Sequence, residues 1–298
     1  MNAQPSPWRK LAPGQVCRLR VHDIASGANH TVLETDRQLI EAPNWTLDGR
    51  WLIVNADGEL FRVAADGGPL EHIELSGSHD ANNDHVLDPD GEHIFISDNR
   101  TGHILRAPLR GGQADRVTDE ADGLSARYLH GVSPDGRTLA HIGGIVRADG
   151  AVYNVYTYDW TNGVTTQVTD SDKPHDGSEY SPDGQWLYFN SERASTVPGH
   201  SQIFRMRLDG EGVEQLVHSD RVDWFPHLAP DGAAMVYLSY GAGVRGHPAD
   251  EAVELVVCGP DGAGERARIG LFGGQGTINV NSWAPDSARF AYVEYPIG

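Results

Sequence analysis

The sequence predicts an all-β chain folded as a six-bladed β-propeller, and three observations carry that prediction. A turn of the Ser-Pro-Asp-Gly type followed by an apolar run recurs along nearly the whole chain: TLDGRWLIVN from 46, DPDGEHIFISDNR from 88, SPDGRTLAHIGG from 133, SPDGQWLYFNSER from 181, APDGAAMVYLSY from 229 and APDSARFAYVEY from 284. The turn aspartates Asp48, Asp90, Asp135, Asp183, Asp231 and Asp286 stand 42, 45, 48, 48 and 55 residues apart, the length of a unit holding several short strands. Each complete repeat then continues into a second pair of strand-forming runs joined by a Gly-containing turn, the signature of a hairpin.

Taken in order, residues 15–36 (GQVCRLRVHDIASGANHTVLETD) form the first hairpin around Ser-Gly-Ala-Asn. Five more follow on the same plan, beginning near residues 59, 103, 152, 202 and 253. Each repeat therefore reads as an inner strand, the Pro-Asp-Gly turn, an apolar second strand such as WLYF or MVYL, and the outer hairpin. The last repeat begins at Asn279 and stops at Gly298 without an outer hairpin, while the first hairpin has no inner pair. The two halves are expected to complete one blade and so close the ring with strands from both chain ends, which removes an open sheet edge. The domain plan is a short extension, residues 1–14, followed by one propeller domain, residues 15–298.

The turn residues have a mechanical reading: proline presets φ, aspartate bonds its own backbone, and glycine accepts positive φ. Trp45, Trp51, Trp186 and Trp283 fall where a large ring fills space between blades. Composition narrows the partners. Against 23 Lys and Arg stand 42 Asp and Glu, a formal charge of -19, which repels nucleic acid and anionic membranes; the expected ligand, a small molecule or oligosaccharide, follows from the mouth residues below. The two cysteines, Cys17 and Cys258, make neither a metal spacing nor a disulfide framework. No 7 to 15-residue apolar signal core opens the sequence, so a cytoplasmic location is expected, or a periplasmic one if a leader has been removed. Oligomeric state is not legible.

The repeated W/Y-S-P-D-G turn followed by an apolar strand resembles the propeller domain of the TolB family. The resemblance spans about residues 15–298, and longer stretches such as NNDHVLDPDG from 82, EYSPDGQWLYFNSER from 179, DWFPHLAPDG from 223 and GGQGTINVNSWAPDS from 273 are similar to a TolB-like subgroup. It implies a six-bladed propeller. TolB itself carries an N-terminal domain and a signal sequence ahead of the propeller, whereas about fifteen residues precede the first strand here.

Since the Pro-Asp-Gly turns share one face of the ring, the starts of the inner strands and the ends of the second strands open on the other, where chemistry is expected to gather. Those positions are rich in His, Asn, Gln, carboxylate and Arg, including Asp176, Arg127, Arg245 and His247. The substrate-binding candidates are Asn83, Asp84, Asn99, Arg100, Tyr128, His175, Asn190, Arg193, Trp224, Tyr240, Gln275, Asn279 and Asn281. Histidine titrates near neutrality and a carboxylate can orient it, which makes His130 and His227 the catalytic candidates, with Glu179 or Asp223 as partner. His85, His130 and His227 come from separate blades and are candidate ligands of one divalent metal, zinc, manganese or calcium; otherwise no cofactor is expected. The amides and Arg193 match sugar hydroxyls, and Trp224 or Tyr240 can stack on a sugar face.

These residues suggest a carbohydrate-active enzyme, a glycan lyase or glycoside-cleaving enzyme, with its pocket at the mouth of the channel. Oligogalacturonate lyases, propellers with a histidine-bound metal, supply a fold-level analogy. With only Arg100, Arg127, Arg193 and Arg245 near the mouth, a neutral or singly charged oligosaccharide fits better than a polyuronate. The alternative is a non-enzymatic TolB-like propeller that holds a peptide, protein or small ligand in the channel mouth.

Overall fold

In a computed structural model, which describes residues 8–147 and 150–298, all six turn aspartates act on their own backbone. Asp48, Asp90, Asp135, Asp183, Asp231 and Asp286 each accept the N–H two positions on through Oδ1, at 2.8–3.1 Å. In five of the turns the next residue is a glycine with φ between 67° and 74°. The sixth puts Ser287 there, at φ 59°, a conformation a side chain tolerates poorly. The hydroxyl that starts a turn also closes it: Ser181 Oγ donates to Asp183 at 2.5 Å and accepts the Trp186 N–H at 3.0 Å.

These turns set inner strand against second strand in every repeat, and an outer hairpin extends each sheet. The first blade joins Glu41–Trp45, Trp51–Ala56, Glu59–Ala64 and Glu71–Ile73; the second Ala81–Leu87, His93–Asp98, Ile104–Pro108 and Asp115–Arg116. The third joins Ala126–Val132, Thr138–Arg147, Gly150–Asp159 and Val164–Gln167; the fourth His175–Tyr180, Trp186–Ser191, Gln202–Arg207 and Glu214–Gln215. The fifth joins Val222–Leu228, Met235–Tyr240, Ala249–Cys258 and Ala267–Gly274. All these neighbours run antiparallel.

The sixth blade closes the ring as the sequence implies. Arg289–Glu294 pairs with Cys17–Asp23, which pairs in turn with Asn29–Thr35. Arg20 Nη1 reaches Glu294 Oε1 at 2.7 Å across this seam. One feature departs from expectation: the inner position of this blade is no strand, only a single bridge between Trp283 and Phe290. The carbonyls of Ile278 and Asn279 turn toward the channel, where they accept from His227 and His130, instead of joining the ladder. A parallel pairing of Leu75–Ser76 with Gly112–Gln113, between the outer parts of the first two blades, also escapes the sequence pattern.

Apolar side chains between neighbouring blades form six clusters among the described residues, one per interface. Leu52, Val54, Cys17 and Val293 seal the closure, and Tyr188, Met235 and Val256 join the fourth and fifth blades. Trp45 and Trp283 are buried as expected. Trp51 and Trp186 are only half-buried, and arginines cover them: Arg62 lies 4.5 Å from the Trp51 ring and Arg207 3.8 Å from Trp186. Cys17 and Cys258 are separate and buried, and burial pushes both thiols up to about 12.

A side chain at a left-handed glycine is strained whatever the space around it. Gly184→Ala, at φ 67° and with the added Cβ meeting only the Pro134 ring at an ordinary 3.5 Å, is therefore expected to lower stability by about 1–2 kcal/mol, measured by denaturant titration with an unchanged slope.

Candidate functional site

The inner strands do not run evenly to the channel mouth. In five blades the ladder slips, between Glu41 and Asn44, Ala81 and His85, Leu129 and Gly131, Asp176 and Glu179, and Trp224 and His227. A bulge re-aims the side chains beside it. Three slips contain left-handed backbone: Ala42 at φ 53°, Gly177 at 63° and Phe225 at 54°. Phe225 pays a conformational cost that its neighbour offsets, since the Asn190 side-chain oxygen in the next blade accepts the Phe225 N–H at 3.1 Å.

The re-aimed residues wall a cavity of about 350 Å³ at the mouth. Asn82, Asn83, Asp84, Tyr128, His130, His175, Asp176, Trp224 and Phe225 come from inner strands; Ile142 and Tyr153 come from the long hairpin of the third blade. His247 and Gly246 reach in from the loop after the second strand of the fifth blade, and Gln275 and Asn279 from the entry to the sixth.

His130 is the centre of its chemistry. The ring is buried and stacked on Phe225, centroids 5.7 Å apart, and Nδ1 donates to the Asn279 carbonyl at 3.1 Å. Its Nε2 lies 2.8 Å from Asp176 Oδ1 and 4.0 Å from Asp84 Oδ1. The Asp176 oxygen sits off the N–H axis, so the contact is an ion pair more than an aligned hydrogen bond. Burial opposes the charge on His130, but Asp84 and Asp176 outweigh it and raise the imidazole to about 9. Asp176 also faces His247 Nε2 at 3.5 Å. Burial acts to raise its pKa; the two imidazoles reverse that and hold it well below the usual carboxylate range. Asp84 goes the other way: burial, more than the repulsion of Asp176, lifts it to about 6 against the pull of His130.

His247 lies edge-on to Trp224 and Phe225, at 4.6 and 5.1 Å. Its Nδ1 donates to Gln275 Oε1, which also accepts from Asn279 Nδ2 at 3.2 Å, and Asp176 raises the ring despite burial. His175 donates through Nδ1 to the Lys173 carbonyl at 2.8 Å, and burial lowers it to about 4, so the ring is neutral at pH 7.

Of the sequence candidates, the cavity brings together Asn83, Asp84, Tyr128, His130, His175, Trp224, Gln275 and Asn279. The others lie elsewhere. Asn99 and Arg100 are exposed on the rim, Asn99 accepting from Asn82 at 2.9 Å. Arg193 is exposed above the Phe189 ring. Asn190 holds the Phe225 bulge, and Tyr240 is core, its hydroxyl donating to Pro248 O. Asp223 is buried among Ser239, Ser219 and Gln202. His227, Glu179 and Asn281 make a brace deeper in the channel: Glu179 Oε2 faces His227 Nδ1 at 2.6 Å, while Oε1 accepts from the Leu228 N–H at 2.9 Å and from Asn281 at 2.8 Å. His227 Nε2 faces the Ile278 carbonyl at 2.8 Å.

The proposed metal ligands are not one set. His85 lies between blades one and two against Asn44 and Asn55, at 2.7 and 3.3 Å, and His227 is committed to the brace. Only His130 of the three faces the cavity, and no group of three or more His, Cys, Asp or Glu side chains converges to hold a metal among the described residues. The residues the sequence left without a role are Asp176 and His247, together with Tyr153 and Phe225. Asp176 and His247 stand at mouth positions, but their pairing across two blades leaves no trace in spacing.

A family model described as the TolB beta propeller domain matches residues 125–255. Over 281 residues, 93% of this chain and 92% of the relative, the sequence is 40% identical to an uncharacterized protein of Agrobacterium fabrum (strain C58). The chain belongs to the TolB-like β-propeller family. A solved structure from Agrobacterium tumefaciens with a provisional TolB designation superposes with a TM-score of 0.85 at 37% identity, covering 95% of this chain and 99% of that one. TolB from Acinetobacter baumannii gives 0.60 at 19% identity, over 88% of this chain and 65% of that one. An oligogalacturonate lyase in complex with manganese gives 0.55 at 15%, over 89% and 74%. The last two share the fold with this TolB-like chain.

Two outcomes separate bracing from chemistry. Glu179→Ala strands three partners in a buried site and is expected to cost about 3–5 kcal/mol by thermal or chemical unfolding. His130, raised from 6.5 to about 9, binds a proton more tightly folded than unfolded. The stability it contributes is complete below about pH 6.5 and lost as pH rises through 9. The melting temperature should fall over that window, and His130→Gln should flatten the fall.

Proposed function

We propose that this TolB-like propeller is a carbohydrate-active enzyme that cleaves a glycosidic bond in the mouth cavity. One observation carries the reading. Two carboxyls face the same imidazole, and their environments push them apart, Asp84 up to about 6 and Asp176 well below the ordinary range. Such a separation assigns an acid and a base. Asp84, lifted to about 6 and so protonated far more often than an ordinary carboxyl as pH falls toward that value, gives its proton to the glycosidic oxygen as the bond to carbon breaks. Asp176, ionised and with one-fifth of its side chain open, takes the proton released by the attacking water or the ring carbon.

His130 stands between them and resets the site. It hands its Nε2 proton to Asp84 and takes the proton from Asp176, so charge and protons balance over a cycle. Gln275 orients His247 against Asp176, and Trp224, Tyr128 and Tyr153 supply the apolar wall a sugar face stacks on. The likeness to an oligogalacturonate lyase supports a carbohydrate at fold level only.

The mutual pairing of His130 and Asp176 also suits a second reading, a TolB-like propeller that binds a ligand in the mouth without turning it over. A panel of p-nitrophenyl glycosides and oligosaccharides decides between them. The enzyme reading expects cleavage with a pH limb near 6, and a loss of about 10²–10⁴-fold in kcat for Asp84→Asn without loss of fold. Ligand binding with no turnover on any member favours the second reading.

A further inference from the structure

We infer that the mouth cavity selects an uncharged sugar ring and rejects uronates, an inference resting on the carbohydrate reading above. No lysine or arginine lines the cavity among the described residues. The arginines nearest the mouth are committed or remote. Arg9 pairs with Asp250 at 2.8 Å and donates to the Gln275 carbonyl, and Arg127 is buried against Asp122 and the carbonyls of Gly102 and Asp119. Arg100, Arg193 and Arg245 are exposed and stand outside the wall.

The cationic groups that do face the cavity are already balanced. His130 and His247 both face Asp176, and His130 also lies 4.0 Å from Asp84. A sugar carboxylate entering here would bring a further negative charge beside two acids with no free cation to receive it, and a desolvated anion without a partner is costly. A neutral ring has no such penalty. Its hydroxyls can donate to Asp84 and Asp176 and accept from Asn82, while its apolar face lies on the half-buried Tyr128 and Tyr153 rings, whose centroids stand 6.3 Å apart. Without a carboxyl to acidify the neighbouring ring proton, elimination has no driving group. Asp176 then takes its proton from water and the cleavage is hydrolysis.

The test is binding, read apart from turnover. Methyl β-glucoside, methyl β-galactoside, maltose and cellobiose are titrated calorimetrically against galacturonate and digalacturonate, with wild type, Tyr153→Ala and Tyr153→Lys, and circular dichroism confirms each fold. Expected are binding of at least one neutral sugar, weakened about tenfold by Tyr153→Ala, and uronate binding that is absent until Tyr153→Lys supplies a cation. Uronates binding wild type as tightly as neutral sugars, or no neutral sugar binding at all, overturns the inference. Turnover of a uronate would overturn it and leave the acid–base reading standing; neutral binding without turnover would uphold it and remove the acid–base reading.

Discussion

A propeller of this kind depends on what happens where its inner strands meet, and here one buried carboxylate does most of that joining. Glu179, on the fourth blade, receives His227 and the Leu228 N–H from the fifth and Asn281 from the sixth. Asn281 passes the link on, its carbonyl accepting from Asn44 of the first blade at 2.9 Å, and Asn44 meets His85 of the second at 2.7 Å. Five blades are thus tied through polar groups that are buried, except for the half-buried Asn281. Each bond is strong there because its loss would leave a buried group unpaired.

The brace explains why the mouth above it can hold strained and mutually repelling groups. Phe225 keeps a left-handed backbone, and two carboxyls share one imidazole, because the strands carrying them are fixed one step deeper. Local strain survives where the surroundings over-determine it. The same brace consumes two of the histidines that a spacing argument offers as ligands. A histidine in the channel is therefore support or chemistry according to whether its partners lie in the brace or on the cavity wall: His227 meets Glu179 and the Ile278 carbonyl below the cavity, whereas His130 meets Asp176 on its wall.

The architecture was legible in the sequence because turn chemistry is local. Asp183 and Gly184 act on bonds two residues away, and six copies at near-constant spacing leave few topologies open. The missing inner strand of the last blade was not legible, since the carbonyls of Ile278 and Asn279 are diverted by histidines about 50 and 150 residues away. The site divides the same way. Mouth positions such as Asp84, His130 and Gln275 follow from the strand plan, but whether a side chain faces the cavity or the next blade depends on bulges that slip the register by one or two residues. Asn190 and Asn281, which the strand plan offers as ligand contacts, instead bond the neighbouring blade, and Asp176 is brought to the wall beside a bulge.

The closure of the ring has a consequence in time. Cys17–Asp23 finds its partner only when Arg289–Glu294 exists, and Arg20 waits for a residue 274 positions on. While the chain emerges from the ribosome, the N-terminal hairpin must stay unpaired along one side, and the five complete blades can stack only as an open arc. The most sequence-distant pairing thus comes after the other blades, and an exposed strand edge accompanies the nascent protein until Arg289–Glu294 has been made.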